Sequence, residues 1–294
     1  MGFFLSLLID GLLAGAVYAL IALAFVVVYK ASRMINFALG EWVMFGSRLT
    51  ASGLHGFGLG LLEAIAAAAA GMVALAVLFN QLVLRRLVGS PLIALIMVTL
   101  GLGALMRGSA AVLFTGIPGD IPLPIPSRTL AFGDVLVSSE KLAAAMIAAV
   151  CIGAVAWFFR RSRTGLALRA IADDQQVAMA VGIDVQRHFA IAWAMVGVIA
   201  VIAGGLWTLV AGGGFGMALV GLKVFPIVII GGLDSIPGTI LGAAIVGVLE
   251  SLTAGYIDPL IGGGFGTVAS YLVLIAVLFI RPHGLFGRPA AARV

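Results

Sequence analysis

Apolar residues run through this chain in long, nearly unbroken stretches, and the charged residues collect in the short segments between them. Nine apolar stretches can be drawn, at 4–29, 34–54, 58–79, 92–115, 143–159, 189–211, 217–233, 238–257 and 265–280. An apolar helix of about 20 residues spans a bilayer. The runs are continuous rather than alternating, which argues against barrel strands. The pattern predicts an all-α integral membrane protein, a polytopic helical bundle of eight or nine transmembrane helices in one domain over 1–294. Several stretches are short or interrupted by glycine, so a broken or re-entrant piece would bring the count to eight.

Composition supports this reading. Of 294 residues, 63% are hydrophobic and 10% charged, and the mean hydropathy is +1.23. Soluble domains carry about 45–50% apolar and about 25% charged residues, so the polar surface here cannot wrap a soluble globule. The single cysteine, Cys151, lies in an apolar run and can form no intrachain disulfide. The first apolar stretch has no basic segment before it and no small-residue cleavage site, and reads as a retained span rather than a signal peptide.

The basic residues set an orientation. Lys30, Arg33, Arg85, Arg86, Arg160, Arg161, Arg163, Arg169, Arg187, Arg281, Arg288 and Arg293 are twelve of the seventeen cations, and nine spans place all twelve on one face. That face is expected to be cytoplasmic, with the N-terminus outside and the C-terminus inside. The net charge of +5 is then a topology signal, and no basic stripe with interleaved aromatics points to nucleic acid. On the outside, 116–142 carries Pro118, Pro122, Pro124 and Pro126 and is expected to be extended rather than helical. On the inside, 160–188 is the most polar stretch. A weak two-half organisation, breaking near the outer loop, is compatible with this layout.

The inner loop has the marks of a short helix. Asp173 and Asp174 suit its N-terminus, by capping and by interaction with the helix dipole. Val177, Ala180 and Val181 share one small apolar face, Gly182 is placed for a left-handed C-cap, and Asp184 can cap the following helix. Pattern alone leaves two readings open: a helix lying on the membrane surface, or a knob fitted to a cytoplasmic partner.

Ionisable residues inside spans are costly and mark functional positions. Arg107 and Glu250 lie at similar depths in two spans of the same direction, and a direct pair between them is expected; the rival role for Glu250 is to line the pathway and meet a substrate ammonium group. Asn36 and Glu41 are candidates for the conformational cycle, Glu41 otherwise being an interfacial carboxylate within reach of Arg33. Glycine is about twice as frequent as usual, at 40 residues. Gly11/Gly15 and Gly238/Gly242 have the spacing of close helix contacts. The clusters at Gly212–Gly214 and Gly262–Gly264, with Pro226 and Pro237, suggest broken helices or hinges, which makes Gly214 and Pro237 further candidates. His55, His188 and His283 are scattered, so neither a metal site nor a catalytic set is expected. Lys30, Lys141 and Lys223 are preceded by Tyr29, Glu140 and Leu222, which excludes a P-loop.

Four segments together resemble the Liv-type permease family, the membrane subunits of ABC importers for branched-chain amino acids. These are Gly15–Leu23 with Ile35–Glu41, Arg169–Asp174 through Gly182–Ile183, Gly231–Gly238 running into Gly242, and Arg281–Gly287. The resemblance implies a bacterial inner-membrane permease that works with two ATP-binding cassette subunits, a second homologous permease subunit and a periplasmic substrate-binding protein. ATP would be bound by the partner subunits, with no cofactor and no enzyme activity in this chain. It also implies that 165–184 is the coupling loop resting on the ATPase, with Arg169, Asp173, Asp174, Val177, Ala180, Val181 and Gly182 as its contact candidates. The loop departs from the Glu-Ala-Ala form of other importers, having Ala178-Met179-Ala180 before Gly182. Similar permeases for urea, short amides or other small amino acids are the alternative within the family. An ion-coupled secondary transporter is the alternative outside it, and would need a coupling-ion site that few intramembrane carboxylates are present to supply.

Overall fold

Helix α1 (Gly2–Ser32) is apolar on all sides, and every residue from Val17 to Val28 is buried. A helix stretch without a polar face belongs in an interior, and from Val17 to Val28 the Tyr18 hydroxyl is the one polar side-chain group. In the computed structural model, which describes residues 1–87, 90–133 and 135–287, α1 is followed by α2 (Leu39–Ala51), α3 (Leu61–Leu82) and α4 (Leu92–Leu113). A two-stranded hairpin comes next, β1 (Thr129–Phe132) and β2 (Val135–Ser138), then α5 (Ser139–Arg161), α6 (Arg163–Asp173), α7 (Gln175–Ala180) and α8 (Val185–Ala211). A 3₁₀ turn at Phe215–Leu219 leads into α9 (Val220–Gly231), and α10 (Ile236–Tyr256), α11 (Asp258–Ile261) and α12 (Phe265–Ile280) complete the order. Arg288 and Arg293, counted above with the inner-face cations, lie outside the described residues.

Each predicted apolar stretch contains a helix. Among the described residues, six helices are long and apolar enough to cross a membrane, and the apolar segments Phe215–Gly231 and Phe265–Ile280 are shorter. Helix α2 is shorter still at 13 residues, continued by a π-helical turn at Ser52–Gly56. The loop 116–142 is extended as expected and holds one element that the pattern did not predict. Its proline-bearing part has no helix or strand, but 129–138 folds as an antiparallel hairpin with Thr129 opposite Ser138 and Phe132 opposite Val135. Gly133 takes φ +63° in its turn, and α5 begins at Ser139 rather than 143.

The chain divides into two compact units, one of Met1–Val26, Pro124–Ile152 and Leu222–Val294, the other of Val27–Leu123 and Gly153–Gly221. They are interleaved along the chain rather than successive halves.

In the first unit, glycines let helix backbones meet. A Cβ on Gly11 would fall 2.7 Å from the Gly247 carbonyl oxygen, and one on Gly15 would fall 2.8 Å from that of Ala243. Ser251 Oγ donates to the Leu7 carbonyl at 2.7 Å along the same contact. The segment after α12 returns to α9, where Leu285 N donates to Ile230 O at 2.8 Å and Phe286 N to Gly231 O at 3.1 Å.

The second unit is built on α2, α3 and α8. Trp193 of α8 lies 5.5 Å from Trp42 of α2 and 5.0 Å from Phe79 of α3, ring centre to ring centre. Here too small residues set the spacing: a Cβ on Gly204 would meet Val43 O at 2.7 Å, and one on Gly197 would meet Met72 O at 3.0 Å.

Candidate functional site

The polar loop 160–188 is two capped helices rather than one. Ser162 accepts a hydrogen bond from Gly165 N at 2.8 Å and starts α6. Gly165 sits so close to the end of α5 that a Cβ would fall 2.6 Å from Phe158 O, so the chain can turn there only with glycine. Leu168 and Ile171 are the buried side of α6, and Arg169 is exposed, its Nε 3.4 Å from Gly165 O. Asp174 starts α7, its Oδ1 accepting from Gln176 N at 2.8 Å and Val177 N at 3.0 Å. Asp173 does not share that role. It is the last residue of α6 and is exposed, because the chain turns extended at Asp174 (φ −152°) before the next helix begins.

The end of α7 is equally defined. Gly182 takes φ +85°, Gly182 N donates to Met179 O and Ile183 N to Ala178 O, both at 3.0 Å. This is a Schellman closure with glycine at the left-handed position. Asp184 then caps α8 by accepting from Arg187 N at 3.0 Å. Ala178 is buried and anchors the short helix, while Val177 (59% exposed), Ala180 and Val181 (70% exposed) point outward. A six-residue helix has no stability alone; caps at both ends hold this one with its apolar residues presented.

The buried charges pair differently from expectation. Glu41 is 7% exposed and accepts from Arg107 Nη2, and Gly103 faces the carboxylate. Glu250 Oε2 accepts from Tyr18 Oη at 2.5 Å and Lys223 Nζ at 3.1 Å, joining α1, α9 and α10, while its Oε1 is buried without a partner. The expected Arg107–Glu250 pair is therefore replaced by two other pairs, and Glu41 is a buried partner of Arg107 rather than an interfacial group near Arg33. A third pair joins Lys141 Nζ to both oxygens of Asp10 at 2.6 and 2.8 Å. Arg107 and Glu250 belong to different compact units, and each closes on a partner within its own.

Asn36 is fully buried, its Oδ1 accepting from Ala38 N at 3.0 Å ahead of α2, and its Nδ2 has no partner. Gly214 (φ +112°) stands with Gly212 (φ +82°) in the break between α8 and the 3₁₀ turn. Pro237 marks no break: it lies in the first turn of α10, which Ser235 caps by accepting from Gly238 N at 3.1 Å. Proline fits there because first-turn amides have no helical acceptor. Tyr18, Lys223 and Arg48 were not among the sequence candidates, although lone cations within apolar runs were the available signal for the latter two. Among the described residues no group of three or more His, Cys, Asp or Glu could hold a metal ion.

Together these features define an all-α, multi-pass membrane protein whose polar connector between α5 and α8 is a pair of capped helices. The sequence matches the family described as branched-chain amino acid transport system / permease component over residues 7–281. The chain belongs to this family. It is 30% identical to the high-affinity branched-chain amino acid transport system permease protein BraD of Pseudomonas aeruginosa, over 99% of this chain and 98% of that protein. It is 28% identical to the corresponding permease protein LivH of Escherichia coli K12, over the same shares. Among solved structures, PsaBC from Streptococcus pneumoniae in complex with Fab gives a TM-score of 0.48 at 16% identity, covering 94% of this chain and 92% of that one.

Proposed function

We propose that this chain is the membrane-spanning subunit of an ATP-driven importer for branched-chain amino acids, resident in the bacterial inner membrane. The single observation that carries the coupling is α7: a helix of six residues, capped by Asp174 and closed at Gly182, with Val177, Ala180 and Val181 exposed. Apolar residues held outward at the end of a rigid projection fit a groove on a partner. With no P-loop in the chain, ATP is bound by two partner ATPase subunits, and their approach to one another is passed through α6 and α7 to the spans.

Arg107 supports a second permease subunit alongside this one. Its side chain is 61% exposed on α4 although it pairs with Glu41, and Ile93, Met97, Leu105 and Val112 of the same helix are exposed too. A guanidinium facing hydrocarbon is costly, whereas one facing a protein partner or a water-filled path is not. Cargo delivered by a periplasmic binding protein would pass along that interface, with the N-terminus outside and the C-terminus in the cytoplasm.

The test is uptake in proteoliposomes containing this chain, its partner permease and the ATPases, with the binding protein outside. Labelled leucine, isoleucine and valine are expected to accumulate only with ATP in the lumen that the ATPases face. Accumulation driven by a proton or sodium gradient without ATPase subunits would overturn the proposal.

A further inference from the structure

Arg48, Arg107, Lys141 and Lys223 are carried on apolar helices apart from the basic run of 160–188 and its neighbouring cations. Three close on carboxylates, those of Glu41, Asp10 and Glu250. Arg48 differs. It is 3% exposed, and among the described residues no carboxylate oxygen lies within 4 Å of it.

Among the described residues its guanidinium is hydrogen-bonded through Nη2 alone. Nη2 donates to Phe114 O at 2.6 Å and Ile117 O at 2.9 Å, the carbonyls that follow α4. A helix C-terminus supplies roughly half a negative charge, which leaves the rest of the cation unbalanced. Nε is buried with no hydrogen-bond partner. The ring of Phe215 lies 4.7 Å from Cζ and that of Phe114 5.6 Å, and Phe45 packs edge-on to Phe114 at 5.3 Å. Gly119 closes the site, since a Cβ there would fall 3.0 Å from Nη1 and 2.9 Å from Gly214 N. The cation is thus positioned by two carbonyls and walled by aromatic rings and glycine backbone, with a buried donor unused.

We infer that Arg48 receives the carboxylate of the α-amino acid in transit, and that the Phe45, Phe114 and Phe215 rings take its aliphatic side chain. The inference rests on the amino-acid cargo proposed above. The chemistry fits: guanidinium binds carboxylate strongly when both are out of water, and a leucine-like side chain needs only apolar walls. The location fits as well. In the proposed orientation the ends of α2, α4 and α8 meet the outer face, where cargo arrives. The breaks at Gly116–Gly119 and Gly212–Gly214 are non-helical, so access would need no helix to unwind.

The experiment uses the assembled complex in two arms. In the first, thermal unfolding is followed without binding protein, adding leucine or leucinol, which lacks the carboxylate. Leucine is expected to raise the midpoint of the wild type and leucinol to leave it unmoved, with the shift absent in Arg48→Met and reduced in Arg48→Lys. In the second, ATP-driven leucine uptake is expected to fall about tenfold or more in Arg48→Met, the effect of losing one hydrogen bond to a charged group. Equal protection by leucine and leucinol would overturn the inference, as would wild-type uptake in Arg48→Met. A leucine shift that appears only with binding protein present would overturn it in favour of an acidic side chain of that partner. If Arg48→Met does not assemble, the wild-type comparison of leucine with leucinol decides. A wild-type complex that imports no branched-chain amino acid would instead refute the proposed function itself, and this site with it.

Discussion

Arg33 donates from Nε to the carbonyl of Ala172 at 3.0 Å, tying the residue after α1 to the last turn of α6. The backbone of Arg33 is left-handed, at φ +55°, the sole non-glycine residue in that region among those described. A cation at a helix C-terminus is electrostatically favourable, and left-handed backbone costs an ordinary residue about 1–2 kcal/mol. The chain thus holds an unfavourable turn at the point where the α6–α7 connector meets the segment leading to Asn36 and α2.

This relation separates backbone from side chain experimentally. Arg33→Gly is expected to raise the unfolding midpoint by relieving about 1 kcal/mol of strain, yet to lower uptake as much as Arg33→Ala, because both lose the bond to α6. Because Arg33 is exposed, Arg33→Ala should change stability by less than about 1 kcal/mol. Thermal unfolding and uptake measured on the same preparations check both. Normal uptake in Arg33→Gly would show that the tie carries no motion.

The two neighbouring aspartates of the α6–α7 connector should behave differently. Asp174→Ala removes the cap of α7 and should cost about 1 kcal/mol locally, with ATP hydrolysis no longer stimulated by cargo. Asp174→Ser should retain most coupling, since serine caps as well. Asp173→Ala, at the exposed end of α6, should leave both readouts near wild type. Equal loss from both alanine substitutions would contradict the capping role.

Adjacent glycines in α8 give a control on packing. Gly204→Ala places a Cβ 2.7 Å from Val43 O and 2.9 Å from Ser47 Cβ, whereas a Cβ at Gly205 meets nothing within 4 Å. Gly205→Ala is expected to stabilise by about 0.5–1 kcal/mol through helix propensity, and Gly204→Ala to lower the unfolding midpoint. Thermal unfolding of the two variants side by side is the check. Gly214→Ala combines open space with φ +112°, so any loss there is backbone strain rather than crowding.

The Glu41–Arg107 pair should show the asymmetry of an ion pair in which only the carboxylate is buried. Arg107→Met leaves that carboxylate without its cation and is expected to cost about 1–3 kcal/mol. Adding Glu41→Gln to it should recover much of the loss. A double-mutant cycle on unfolding midpoints measures this, and simple additivity would mean the two groups do not interact in the folded protein.

What was legible in the sequence was what depends on one helix at a time. The nine apolar stretches, the Asp174 and Asp184 caps and the Gly182 closure follow from local pattern, and the structure has them. Charge pairing does not follow from pattern: Arg107 meets Glu41 because α4 packs beside α2, a tertiary neighbourhood that periodicity along one helix does not encode. The hairpin at 129–138 was hidden because two four-residue strands beside a proline-rich segment carry too little alternation to stand out. Pro237 was misread because a proline after a short polar turn looks the same whether it interrupts a helix or begins one.

The central claim is that the α6–α7 connector lies in the cytoplasm and receives the work of a separate ATPase. It is tested most directly by a single cysteine at Val181, 70% exposed, in a Cys151→Ser background, labelled with a membrane-impermeant maleimide. Labelling is expected in inside-out vesicles and not in right-side-out ones, and is expected to be blocked when the ATPase subunits are bound. Labelling from the outer face, or equal labelling with and without bound ATPase, would contradict it.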